Sequence, residues 1–116
     1  VLEESLRRNN PTPGAPGLAM AHVSHSYRNG ASLYFTIVFP RHPEEDVAQW
    51  LAIKRDVSDA IVRNGGTISH HHGVGTDHLP WLAREKGPVA HGLLRSLKAT
   101  LDPKAIMNPG KLLGDA

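Results

Sequence analysis

Two stretches of the chain alternate apolar and polar positions with a period of two. Residues 18–27 (LAMAHVSHSY) and 31–39 (ASLYFTIVF) flank Arg28-Asn29-Gly30. An Asn-Gly pair between two such runs predicts a β-hairpin with a type I′ turn. With Asn29 and Gly30 as the loop residues, Arg28 pairs with Ala31, and counting back places His25 directly across from Tyr34. Leu33, Phe35, Ile37 and Phe39 then share the face expected to meet the core, and Tyr34 points away from it. The period lengthens to that of a helix over residues 43–64. Pro43 suits the first turn, and Glu44, Glu45 and Asp46 suit the positive end of the helix dipole. Val47, Trp50, Leu51, Lys54, Val57 and Ile61 keep helical spacing, and Asn64-Gly65-Gly66 is a stop signal.

After that stop, Thr67 to His70 reads as a short strand entering a glycine-containing loop. A second helix is expected over residues 88–100, with Val89, Leu93, Leu97 and Leu101 on one stripe. Residues 101–113 (LDPKAIMNPGKLL) form a turn-rich tail. Residues 1–9 read as the close of a helix begun upstream, and residues 10–17 (NPTPGAPG) as a connector that prolines and glycines keep irregular. The expected organisation is therefore residues 1–17 as helix end and connector, then residues 18–116 as the main body. The fold class is α+β: an antiparallel sheet, the hairpin plus a further strand, covered by helices.

Composition narrows the reading without redirecting it. The chain has 116 residues, 40% of them hydrophobic and 21% charged, which fits one small globular domain. That is too short for a cofactor domain and a substrate domain side by side. The start at Val1 rather than Met reads as a processed or excised fragment. No apolar run is long enough to span a bilayer, and the start has no signal-peptide pattern. The formal net charge of +2 comes from scattered lysines and arginines, so no basic stripe argues for nucleic acid. The absence of cysteine excludes disulfides and thiolate chemistry in this chain. A cytoplasmic location is the default expectation, since Gly-Asp-Ala is not a peroxisomal ending.

The unusual feature is the histidine content: eight in all, three of them consecutive in Ser69-His70-His71-His72-Gly73-Val74-Gly75. On a strand end these alternate, so His70 and His72 share one face and His71 takes the other. Gly73 and Gly75 allow close approach of backbone to a flat or charged ligand. Such a cluster supplies hydrogen-bond donors and a switchable charge, which suits anion binding or proton transfer. Three other readings apply to the same residues: a solvated polar loop, a transition-metal site, and a purification tag. The mid-chain position argues against a tag, and strand alternation argues against all three rings gripping one ion.

The triplet after a glycine-ended helix, the Ser32-Leu33-Tyr34-Phe35 strand before it, and the tail together resemble the C-terminal region of FAD-linked oxidases of the vanillyl-alcohol-oxidase type. The resemblance covers roughly residues 18–113. Within that superfamily the triplet is most similar to that of the alkylglycerone-phosphate synthases (alkyldihydroxyacetonephosphate synthases). The resemblance implies an upstream FAD-binding domain as partner, and FAD held mainly by that domain. It implies exchange of the acyl group of acylglycerone phosphate for a fatty alcohol, with no net redox change, on a small-molecule or lipid substrate. It places a proton-handling tyrosine on Tyr34 and the activity-bearing histidines on His70, His71 and His72. Gly73, Gly75, Asn108 and Lys111 become candidates to approach the cofactor. The fragment alone is expected to be inactive and, with its covering domain missing, to self-associate.

The residues themselves leave alternatives open. A strand tyrosine is most often structural. A free tyrosine has a pKa near ~10, so acting as a base requires a depressed pKa or a coupled acceptor. Asp102-Pro103 and Asn108-Pro109-Gly110 also read simply as tight turns. Where eukaryotic synthases follow the glycines with basic residues, this chain has Thr76-Asp77-His78-Leu79-Pro80-Trp81, which bears on phosphate recognition. The second functional reading is an FAD-linked 2-hydroxyacid dehydrogenase of the D-lactate or glycolate kind. Those enzymes share the tail but show an acidic residue before a single histidine. The third is a freestanding histidine-rich metal-binding or interaction module.

Overall fold

A computed structural model describes residues 1–12, 14–15 and 17–114, so the prolines at 13 and 16 of the connector lie outside the described residues. Five elements follow in order: α1 (Leu2–Arg8), β1 (Leu18–Tyr27), β2 (Gly30–Val38), α2 (Asp46–Arg63) and α3 (Leu79–Leu101). The α+β class holds, with a two-stranded antiparallel sheet and three helices among the described residues. The chain divides into two compact units, Val1–Ala60 and Ile61–Ala116, each described by itself.

In the first unit, α1 carries Glu3 and Glu4 in its first turn and Arg7 and Arg8 in its last, the charge order that complements the helix dipole. Its inward residues, Ser5 and Leu6, are buried. Gly17 lets the chain cross closely before entering β1: a Cβ there would lie 3.1 Å from the Leu6 Cβ and 3.3 Å from the Phe39 Cβ. The Ser5 hydroxyl donates to the Asp56 carboxylate at 2.6 Å, and Arg8 pairs with the same oxygen, which ties α1 to α2. Gln49, buried on α2, is the other tie. Its Nε2 donates to the carbonyls of Asn9 (2.7 Å) and Pro40 (2.9 Å), and its Oε1 accepts the His42 N–H at 2.9 Å. One side chain thus satisfies three backbone groups, from two segments, that have no ladder partner.

The hairpin forms where alternation predicts it, but its register differs. Tyr27 pairs with Gly30, so the loop residues are Arg28 and Asn29, and neither adopts the positive φ that a type I′ turn requires. A bulge at Ser24 then shifts the pairing: Val23 faces Leu33, and His25 faces Ser32. His22, rather than His25, stands across from Tyr34. The extra residue also reverses the alternation in β1, so His22, His25, Tyr27 and Tyr34 all fall on one face. The opposite face is not the closed core expected of it. Leu33 is 55% and Phe35 47% exposed, while Ile37 and Phe39 are partly covered.

The α2 helix begins at Asp46, three residues later than the expected Pro43. The preceding turn is held by His42, whose Nδ1 accepts the N–H groups of Glu44 (3.3 Å) and Glu45 (2.9 Å). Its buried side is Gln49, Ile53 and Ser58, whereas Val47, Trp50 and Leu51 of the expected stripe face outward. The Lys54 ammonium lies 5.8 Å over the Trp50 ring, so the pair covers part of that stripe.

In the second unit, Asn64-Gly65-Gly66 ends α2 as expected. Gly65 takes φ 74°, and the Gly66 N–H returns to the Ile61 carbonyl at 2.9 Å. Residues 67–70 are not a strand. The Ile68 N–H is taken by the Glu85 carboxylate at 2.7 Å, a side-chain partner in place of a ladder. The last helix starts nine residues before the expected Pro88. Pro80 sits in its opening turn, and Trp81 and Leu82 are buried. It breaks at Gly87 (φ 75°, ψ 167°), where Pro88 removes a donor, and the second segment is the helix that the spacing predicted. Its Val89, Leu93, Leu97 and Leu101 stripe is 55–77% exposed. No helix among the described residues is long and apolar enough to cross a membrane.

Candidate functional site

The histidine triplet sits in a turn, and this changes its geometry. An extended strand would send the rings to alternate faces. Instead the His70 and His71 ring centroids lie 4.5 Å apart in a T-shaped contact, and His71 stacks on His72 at 4.3 Å. The Nδ1 atoms of His70 and His71 are 2.6 Å apart, so one ring carries the hydrogen there and the other offers its lone pair. All three rings are exposed.

Gly73 and Gly75 follow at φ 83° and 57°, and a Cβ at either would meet no protein atom within 4 Å. The backbone of this loop is therefore open to a flat ring or a polar ligand on that side. Its far end is held by the tail: the Leu112 N–H donates to the Gly75 carbonyl at 3.2 Å.

Asp102, buried at the end of α3, shapes that tail. It accepts the N–H groups of Ile106 (3.1 Å) and Met107 (2.9 Å) and pairs with Lys98, whose ammonium also reaches the Met107 carbonyl. The Lys98 hydrogen bond, reinforced by the two amides, holds the Asp102 carboxyl below its ordinary range against the opposing effect of desolvation. Asn108 sits at φ 51°, and its carbonyl accepts the Lys111 N–H at 3.3 Å, so the turn reading of Asn108-Pro109-Gly110 holds. Lys111 is exposed next to the residue that touches Gly75. Between α3 and the tail lies a cavity of about 650 Å³, walled by Ala99, Pro103, Ala105, Pro109 and Leu113 with Arg95 at its edge.

Tyr34 belongs to the first unit. It is exposed on β2, and its ring lies 5.3 Å from that of His22 with a 30° tilt. His25 lies on the same face, 6.4 Å from the Tyr27 ring. The expected placement of Tyr34 on a face shared with His25 holds, with His22 as its direct neighbour, whereas the hydrogen bonds of Ser69, Asp102 and Leu112 were not anticipated. A bulge leaves no mark in the hydrophobic pattern. Asp102-Pro103 did carry a signal, since an Asp at a helix end commonly takes the amides that follow it.

Residues 2–112 match the family described as FAD linked oxidases, C-terminal domain. The chain belongs to that family. Among individual proteins, this FAD-linked oxidase domain is 44% identical over 100 residues to an alkyldihydroxyacetonephosphate synthase of Dictyostelium discoideum, covering 86% of the chain and 16% of that protein. It is 39% identical over 92 residues to the enzyme so named in Trypanosoma brucei brucei, covering 79% of the chain and 15% of that protein. It is also 30% identical over 112 residues to a mitochondrial D-lactate dehydrogenase [cytochrome] of Arabidopsis thaliana, covering 97% of the chain and 19% of that protein. The domain thus spans under a fifth of each of these relatives.

Family membership implies FAD as the cofactor of an enzyme built with such a domain. The open glycine backbone and exposed imidazoles suit the approach of a flavin ring edge.

Proposed function

We propose that this domain is the substrate-facing C-terminal part of an FAD-dependent enzyme that exchanges the acyl group of acylglycerone phosphate for a fatty alcohol, forming an ether lipid precursor. The observation that carries the reading is the triplet of mutually packed rings at an open turn, in a domain 44% identical to a protein named for that activity. The flavin, when bound, supplies an electron-accepting ring that takes part without net redox change. Tyr34 exchanges a proton with the substrate. The exposed imidazoles offer N–H donors to an anionic group. Across the His70–His71 contact, a proton taken up at the outer nitrogen of one ring releases the shared hydrogen to the other, which makes the pair a short relay. Lys111, beside the Leu112 anchor, adds a fixed cation where Thr76-Asp77-His78 supplies neither lysine nor arginine. The partner is the upstream FAD-binding domain. The exposed α3 stripe supports self-association of the isolated domain.

The test uses the full-length protein with its flavin, given acylglycerone phosphate and a labelled fatty alcohol. Labelled ether product with no lasting loss of oxidised flavin absorbance supports the reading. Flavin bleaching by D-lactate or glycolate, with no ether product, replaces it by the 2-hydroxyacid dehydrogenase reading. That alternative draws on the Arabidopsis relative.

A further inference from the structure

One side chain folds the segment that carries the triplet. The Ser69 Oγ donates to the Gly73 carbonyl at 2.7 Å, four residues on, and the bond closes over His70, His71 and His72. The same hydroxyl lies 3.5 Å from the His70 carbonyl, at the edge of bonding distance. Beyond Gly73, the next fixed point is the Gly75 carbonyl, which accepts the Leu112 N–H at 3.2 Å. Before Ser69, the Ile68 N–H is tied to Glu85 at 2.7 Å and the Ile68 side chain is buried. The triplet therefore lies between two anchored ends, and the bond from Ser69 to Gly73 closes the segment that carries it into a turn.

This accounts for the ring geometry. An extended backbone would place consecutive histidines on opposite faces, yet the three rings meet in sequence, edge to face at 4.5 Å and stacked at 4.3 Å. Bringing Gly73 back to the Ser69 hydroxyl bends the chain so that consecutive side chains meet. Gly73, at φ 83°, supplies the reversal that lets its carbonyl face the hydroxyl.

We propose that Ser69 is a positioning residue: its hydroxyl closes the turn in which the three imidazoles pack against one another and so sets the His70–His71 contact. For turnover, the proposal rests on the function proposed above; for geometry, it stands alone. A single exposed hydrogen bond contributes little to global stability. Displacing reacting groups by an ångström costs far more in rate, on the order of a hundredfold. The two effects therefore separate.

The experiment compares Ser69→Ala and Ser69→Thr in the full-length flavin-loaded protein. Two quantities are read: kcat and KM in whichever reaction the wild type performs, and the diethyl pyrocarbonate modification rates of His70, His71 and His72 mapped by mass spectrometry. The alanine variant should lose about tenfold or more in kcat with little change in KM, and its triplet should be modified faster. Its melting temperature should stay close to that of the wild type. The threonine variant, which keeps the hydroxyl, should recover both readouts. Wild-type kcat in the alanine variant, an unchanged modification pattern, or equal behaviour of the two variants would overturn the proposal. Failure of the wild type to exchange acyl for alkyl groups sinks the functional reading instead, and the modification pattern still decides the role of Ser69.

Discussion

Leu112 hands its backbone N–H to the Gly75 carbonyl at 3.2 Å while held at φ 62°, a left-handed conformation that bulky side chains rarely adopt. Such a position typically stores on the order of 1–3 kcal/mol and persists only where its surroundings impose it. Here the Asp102 turn and the docking on Gly75 impose it. Leu112→Gly relieves the strain and gives up little packing, because the leucine is substantially exposed. Leu112→Val adds β-branching where it fits worst. Urea denaturation should place the valine variant about 1–2 kcal/mol below the glycine variant; equal midpoints would mean that the tail relaxes freely.

Gln49 predicts a larger effect from a quieter position. It is buried and pairs with Asn9, Pro40 and His42 at 2.7, 2.9 and 2.9 Å. Leucine has similar bulk but leaves two carbonyls and one N–H without partners. Gln49→Leu should destabilise the protein by about 2–3 kcal/mol despite being more apolar. A neutral or stabilising result in chemical denaturation would show that water reaches those groups.

Three carboxyls give the pH dependence a definite sign. Asp56 is held low by the Ser5 hydroxyl, against desolvation and with help from Arg8. For Glu85, desolvation is the largest influence and acts upward, but the Ile68 amide and Lys86 outweigh it and the net shift is downward. Asp102 is held low by Lys98 and the two tail amides. A folded pKa below the unfolded value means that the unfolded chain binds more protons across the window between them. The stabilisation is complete above the unfolded values, near about 4, and is lost as pH falls through the folded ones. Denaturation midpoints should therefore hold between neutral pH and about 5 and drop below about 4. Ser5→Ala should make that drop shallower; an unchanged acid limb would remove Asp56 from the account.

Local signals were legible in the chain and non-local ones were not. The hairpin strands, the glycine stop after Arg63 and the helical stripe from Val89 to Leu101 are set by neighbours in sequence, and each lies where the pattern places it. The Ser24 bulge and the Arg28-Asn29 turn moved the partner of Tyr34 from His25 to His22, because register depends on both strands at once. Residues 67–70 look like a strand, but Glu85, far along the chain, takes the amide that a ladder would need. Stripe and burial also part company. Trp50, Leu51, Leu93 and Leu97 have core-like spacing but face outward in a domain that spans under a fifth of its relatives.

Tyr34 and His22 supply a prediction for the reaction itself. Their rings lie 5.3 Å apart on a face shared with His25 and Tyr27. If Tyr34 moves the substrate proton, Tyr34→Phe in the full-length protein should lower kcat by roughly 10²-fold or more with KM little changed. His22→Ala should have a smaller effect, because it removes a neighbour of the ring and not the hydroxyl. Steady-state turnover by Tyr34→Phe at the wild-type rate would return this tyrosine to a structural role.

The outward stripe of α3 makes the last prediction. Val89, Leu93, Leu97 and Leu101 recur every four residues and are 55–77% exposed, so they form one apolar band along the second segment of the helix. Covering a single leucine completely contributes about 1.5–3 kcal/mol, so burying even part of four such side chains favours association of the isolated domain at working concentrations. Light scattering should show species larger than a 12.6 kDa monomer, growing with concentration. Leu93→Lys combined with Leu97→Glu should return the domain to a monomer without unfolding it, because neither side chain is buried. A clean monomer for the unmodified domain at high concentration would show that the band tolerates water, and the case for a covering partner on that helix would fall with it.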